Sequence, residues 1–190
     1  MTRIYLFILS PPNHNNRITE IIKTSLNVSV YNSNHGSIQT LYKKNGADKY
    51  DLSRWDPTYN LDMNMVNKIF NKVLDTNKEI WVETSSPNMC RANQLEKFFK
   101  NKGKVYFIIL MSHPYSKLVK NELWETYGKY QKNNLETLKN TIYITYEDCC
   151  MNISKVILQL RNRIPELGKL NNNMNKLLIN NKETKNKKKL

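Results

Sequence analysis

A chain of 190 residues, 39% of them hydrophobic and 10% aromatic, holds enough apolar side chain for a packed core, so one folded domain is expected rather than global disorder or two full domains. Its formal charge of +14 suggests a polyanionic partner until that charge is located along the chain. The longest apolar runs, Ile4 to Leu9 and Val105 to Met111, stop well short of the roughly 18 residues that a membrane-spanning helix needs.

Met1-Thr2-Arg3 followed by six apolar residues has the outline of a secretory signal, but the run ends at Ser10-Pro11-Pro12 with no small-residue cleavage site. A first strand buried on both faces, as in a parallel sheet, is the expectation. Ile18, Ile21, Ile22 and Leu26 then fall at helical spacing, with Asn15 or Asn16 as N-cap. Val28 to Tyr31 predicts a short strand, and residues 32–61, with Gly36, Gly46 and Pro57, read as a long functional loop. Asp62 caps a predicted helix carrying Val66, Ile69, Phe70 and Val73. A strand over Glu79 to Glu83 follows, and Ser86-Pro87 opens a further helix with Ser86 as N-cap and Pro87 at its first position.

Val105 to Met111 is the most hydrophobic strand, and Pro114 opens a helix through Leu118, Leu123, Trp124 and Tyr127. A strand from Thr141 to Tyr146 precedes a helix bearing Ile153, Val156, Ile157, Leu160 and Ile164. Strands alternating with helices predict an α/β fold: a parallel sheet with flanking helices and right-handed crossovers. Cys90, Cys149 and Cys150 form neither an even set nor a CxxC, which predicts buried free thiols, a reducing compartment and cytoplasmic localisation.

From Lys169 to Leu190 seven Lys stand against Glu183 alone, so a domain over 1–168 and a disordered, basic Asn/Lys-rich tail over 169–190 are expected. The chain has 28 Asn, and 24 Lys against six Arg, a bias that AT-rich codons suffice to produce. Nucleic-acid readers favour the bidentate Arg, so nucleic acid is not expected as the main partner.

In an open α/β sheet, ligands sit at the C-terminal ends of the strands. The segment Ser10 to Arg17 joins a buried strand to a helix N-terminus, where free N–H groups and the positive dipole end make an anion site. It is not a Walker A loop, since the Gly-x4-Gly-Lys-Ser/Thr pattern is missing. Asn15 and Asn16 tolerate a left-handed turn best after glycine, and Arg17 adds a cation. The alternative is that Asn13 to Asn16 simply cap the helix. His14 stands in this loop as a candidate base or phosphate donor, the alternative being a surface histidine of a loop. Glu83, at a strand end, is the better candidate base, or else a carboxylate capping the Ser86 helix region. His14, His35 and His113 lack metal-ligand spacing, so no metal site is expected. Trp55, Trp81 and Trp124 are expected in the core.

The stretches LFILSPPNHNNRITEII, WVETSSPNMCRANQLEKFF, YFIILMSHPYS and IYITYEDCC resemble, in order and spacing, four signatures of the sulfotransferase family: strand-PxxGT-helix, E-K-S/T-P-N-x2-R, strand-R-x-P-y and YEDL. The resemblance covers residues 3–165. It implies a P-loop NTPase-like three-layer sandwich that transfers a sulfuryl group from 3'-phosphoadenylyl sulfate to a hydroxyl or amine acceptor, on carbohydrate, protein or small molecule. The donor's 5'-phosphosulfate would lie on Pro12, Asn13, His14, Asn15, Asn16 and Arg17, and its 3'-phosphate on the loop holding Ser112 and Lys120. The family's glycine falls at Asn15, its sulfuryl-contacting lysine at Thr84, its donor arginine at Ser112 and its donor serine at Lys120; Lys117 and Lys120 offer cations in partial replacement. The rival is a catalytically inactive descendant of the same fold that binds a partner. A third reading, polyanion binding through the tail, makes a measurable claim. Retention on heparin or DNA is expected to fall steeply with salt and to vanish when residues 169–190 are deleted, as read by column elution or fluorescence titration.

Overall fold

The structure, a computed structural model, describes residues 2–12, 14–31, 36–38, 41, 55–114 and 121–171. The apolar N-terminal run forms β1 (Arg3–Leu9), and the other strands are β2 (Val28–Val30), β3 (Ile80–Glu83), β4 (Gly103–Met111) and β5 (Thr141–Thr145). All pair in parallel, in the order β2-β3-β1-β4-β5. β1 is hydrogen-bonded along both edges, with Ile4 opposite Ile80 on one side and Leu6 opposite Tyr106 on the other.

Because side chains alternate along a strand, the sheet builds two cores. Ile4, Leu6 and Ile8 of β1 join Ile108 and Leu110 of β4 and Ile142 and Ile144 of β5 on one face. That face is covered by α1 (Asn16–Lys23) through Ile18, Ile21 and Ile22, and by α6 (Ile153–Arg163) through Val156, Ile157 and Leu160. Tyr5, Phe7 and Leu9 join Val105, Phe107 and Ile109 on the other face, under α2 (Met63–Val73), α3 (Ala92–Phe99) and α4 (Asn121–Thr137).

The assignment of helices to faces follows from handedness. The chain steps from β1 past β3 to β2 in one direction, through α1; its next three steps run in the opposite direction, through α2, α3 and α4. If every crossover is right-handed, the reverse step must use the opposite face.

Asp62 caps α2 as expected, accepting from Asn64 N at 3.0 Å and Met65 N at 3.1 Å. The helix expected from Ser86 is instead two pieces: a 3-10 turn over Ser86–Cys90, then α3. Arg91 breaks it, at φ −129°, because its buried guanidinium donates to three carbonyls: Asp56 O at 2.7 Å, Tyr59 O at 2.9 Å and Pro87 O at 3.2 Å. The expected last strand ends one residue early, since Tyr146 starts a separate α5 (Tyr146–Met151) whose cap is Thr145 Oγ1, accepting from Asp148 N at 3.1 Å. Of the three thiols, Cys149 is buried and its pKa is pushed up to about 12, mainly by burial. Cys90 is half-buried, and Cys150 is exposed, contrary to the expectation of burial.

Packing continues past residue 168, with Leu170 buried in the α1/α6 core and Asn171 N donating to Thr24 Oγ1 at 2.9 Å. No described helix is long and apolar enough to cross a membrane. The tail beyond Asn171, most of the 32–54 loop including His35, and the helix start expected after Pro114 lie outside the described residues.

Phe99 centres the aromatic part of the second core, 4.4 Å from the Tyr5 ring, 5.4 Å from Phe70 and 5.6 Å from Phe7. Phe99→Ala is expected to cost about 3–5 kcal/mol in denaturant unfolding, because the surrounding rings, Tyr5 and Phe7 of β1 and Phe70 of α2, cannot collapse into the space.

Candidate functional site

β1 sends its chain over one face while its neighbours β3 and β4 send theirs over the other, so a crevice opens at the C-terminal end of β1. Three stretches meet there: residues 10–12 with 14–16, Glu83 to Ser85, and Met111 to His113. Asn15 occupies the N-cap position of α1, but its side chain does not cap the helix; its amide donates across to Thr84 O at 2.7 Å. The expectation that the asparagines cap α1 is therefore not met by Asn15. No acidic residue lies in the first turn to neutralise the helix end. Continuing the strand alternation places Ser10 on the α1 side, and Thr19 is buried one turn into α1. Both hydroxyls are buried and make no hydrogen bond. Pro12 and Arg17 are half-buried and Asn16 is exposed at the same helix end.

His14 and Ser112, 98 residues apart in the chain, are joined here: Nε2 lies 3.2 Å from Ser112 Oγ, and Nδ1 lies 2.9 Å from Pro12 O. A carbonyl only accepts, so Nδ1 carries the proton and Nε2 presents its lone pair to the serine hydroxyl. Both residues are buried. Burial holds the His14 pKa below its ordinary value, against the opposing pull of the Pro12 carbonyl and the Glu147 carboxylate. The Tyr146 ring stands edge-on at 5.5 Å, its phenol pKa raised by burial and by Cys150, with Arg17 acting in the opposite sense.

Glu83, buried at the end of β3, uses both carboxylate oxygens. Oε2 accepts from Ser37 N at 2.9 Å and from Ser37 Oγ, while Oε1 accepts from Ser85 N at 2.7 Å. The carboxylate thus clamps the 36–38 segment to the loop after β3. Gly36 permits this contact: it sits at φ +82°, and a Cβ there would run into the Ser85 and Glu83 atoms.

No family model, curated protein or solved structure matches the chain. Of the residues that sequence reasoning singled out, the fold brings Pro12, His14, Asn15, Asn16, Arg17, Glu83 and Ser112 to one sheet edge. Asn13 and Lys120 lie outside the described residues, as does Lys117. Ser112, expected beside a 3'-phosphate, is bonded to His14 of the first loop. Sequence reasoning missed Gln131, which donates from α4 to Leu9 O at 2.6 Å; Trp124, expected in the core, is half-buried and its indole donates to Ser112 O at 3.0 Å. Glu147, in the first turn of α5, accepts from His113 N at 3.0 Å. One signal for Gln131 was available: Trp124, Tyr127, Gln131, Asn134 and Leu138 repeat at helical spacing, placing two amides on an otherwise apolar stripe.

The depressed His14 pKa has a stability consequence with a definite sign. Below about its ordinary 6.5 the unfolded chain binds a proton that folded His14 resists, so stability falls as pH drops from there through the folded value. His14→Gln is expected to flatten the slope of unfolding free energy between about pH 5 and 7, measured by denaturant melts across that range, where ordinary carboxylates are already ionised.

Proposed function

We propose that this chain is a sulfotransferase-like domain of P-loop NTPase-like architecture, which binds 3'-phosphoadenylyl sulfate and passes its sulfuryl group to a hydroxyl or amine acceptor. The observation that carries the reading is the N-terminus of α1. It opens at the crevice without a side-chain cap from Asn15, beside the two buried hydroxyls of Ser10 and Thr19 that make no hydrogen bond. Buried hydroxyls ordinarily find partners, and N–H groups at a helix start suit a phosphate or sulfate oxygen. Arg17, at the same helix end, supplies the cation that the missing Walker lysine does not.

The sheet order supports the same architecture by elimination. β3 stands between β1 and β2 here, whereas β2 borders β1 in both dinucleotide-binding and flavodoxin-like sheets. Sulfuryl transfer resembles phosphoryl transfer in needing position, charge stabilisation and a proton acceptor. Of the two candidate bases, His14 fits better. Burial keeps it neutral and its Nε2 lone pair already faces a hydroxyl, whereas both Glu83 oxygens are held by Ser37 and Ser85. Thr84 and Ser112 stand where the family places a lysine and an arginine, so donor affinity rests on the α1 end and Arg17.

Calorimetric titration of the full chain with 3'-phosphoadenosine 5'-phosphate, beside ATP as a control for unspecific polyanion binding, tests this. Micromolar binding selective over ATP is expected, weakened at least tenfold by Arg17→Ala, since a hydrogen bond to a charged group contributes about 1.5–3 kcal/mol. A folded protein that ignores millimolar ligand would leave the inactive binding protein as the reading of this fold.

A further inference from the structure

We propose that Ser112 and His14 form a nucleophile and base pair that cleaves acyl esters, with the acyl group held in the cavity between α4 and β5. This activity goes beyond sulfuryl transfer and does not rest on it. The pair has the geometry that activated serines share: a hydroxyl within hydrogen-bond reach of an imidazole whose other nitrogen is fixed by a third group. Ser112 Oγ lies 3.2 Å from His14 Nε2, and the Pro12 carbonyl, 2.9 Å from Nδ1, orients the ring and sets its tautomer. Burial leaves the imidazole in its neutral, proton-accepting form, and the nearby Glu147 carboxylate favours the imidazolium that forms when the serine proton moves. A surface serine meeting a surface histidine by chance would have neither feature.

The second observation is the space beside the serine. Ser112 lines a cavity of about 460 Å³ whose walls include Met111, Trp124, Leu135 and Tyr143. That volume suits a small ligand, and the walls are largely apolar and aromatic. Ser112 both lines this cavity and reaches His14, so it links the base to the space a substrate would fill. The cavity suits a short or medium aliphatic or aromatic acyl chain.

The chemistry balances without any cofactor. Ser112 Oγ attacks the ester carbonyl as its proton passes to His14 Nε2. The carbon–oxygen bond to the alcohol breaks, and the departing alkoxide takes the proton from His14. Water then attacks the acyl-Ser112, giving its proton to His14, which returns it to Oγ as the carboxylic acid leaves.

The test uses the full chain without nucleotide, so its outcome is independent of the titration above. The protein is treated with an alkyl fluorophosphonate, the adduct is mapped by peptide mass spectrometry, and hydrolysis of p-nitrophenyl acetate and hexanoate is followed. A single phosphonyl adduct on Ser112 is expected, with faster turnover of the hexanoate. Ser112→Ala should lower hydrolysis at least a hundredfold, and His14→Gln should slow labelling at least tenfold. Ser154→Ala, at an exposed serine of α6, should match the parent protein. Unlabelled Ser112 in the folded parent, or hydrolysis unchanged in a folded Ser112→Ala, overturns the proposal. The mapping on the unaltered protein decides the matter even where a variant does not fold.

Discussion

β1 is covered on both faces and paired along both edges, and the rest of the molecule is arranged around satisfying it. A strand so placed must be apolar at successive positions, and its backbone groups have no access to water. Ile4 to Leu9 meets the first demand, and the ladders to β3 and β4 meet the second. At the end of the strand the ladder runs out, and the Leu9 carbonyl is taken by the buried amide of Gln131. The same demand explains why α4 carries Gln131 on its inner face.

With β1 in the centre, crossover handedness leaves α1 alone among the first four helices on its side of the sheet. That division opens the crevice where the loops after β1, β3 and β4 converge. Its polar groups largely satisfy one another: Asn15 reaches Thr84, Glu83 holds Ser37 and Ser85, and His14 joins Pro12 to Ser112. Burial makes each bond matter, since an unpartnered polar group costs about 1–3 kcal/mol in the interior. Against this background the partnerless hydroxyls of Ser10, Thr19 and Ser85 stand out. Two of them, Ser10 just after β1 and Thr19 one turn into α1, belong to the strand–helix unit whose helix start Asn15 leaves without a side-chain cap.

Local chemistry carried much of the fold. The five strands and the Asp62-capped helix were legible because apolar runs, helical spacing and capping residues act over a few neighbouring residues. The break at Arg91 was not legible, because the carbonyls that capture its guanidinium include those of Asp56 and Tyr59, more than 30 residues earlier. Nor was α5, a separate short helix ahead of the one carrying Ile153; it ends where Asn152 leaves helical geometry at φ −127°. Within the site, His14, Asn15, Arg17, Glu83 and Ser112 were singled out individually, yet their partners were hidden.

By itself the sequence determined the fold class, the order of strands and helices along the chain, and the absence of a Walker loop. These follow from period, composition and short-range capping. Tertiary structure decided the order of strands across the sheet, the clamping of Glu83 by Ser37, and the joining of Ser112 to His14. Each of these depends on groups dozens of residues apart being desolvated together. A buried polar atom takes its partner from whatever the packed backbone brings within about 3 Å, and no local pattern in the chain encodes that distance.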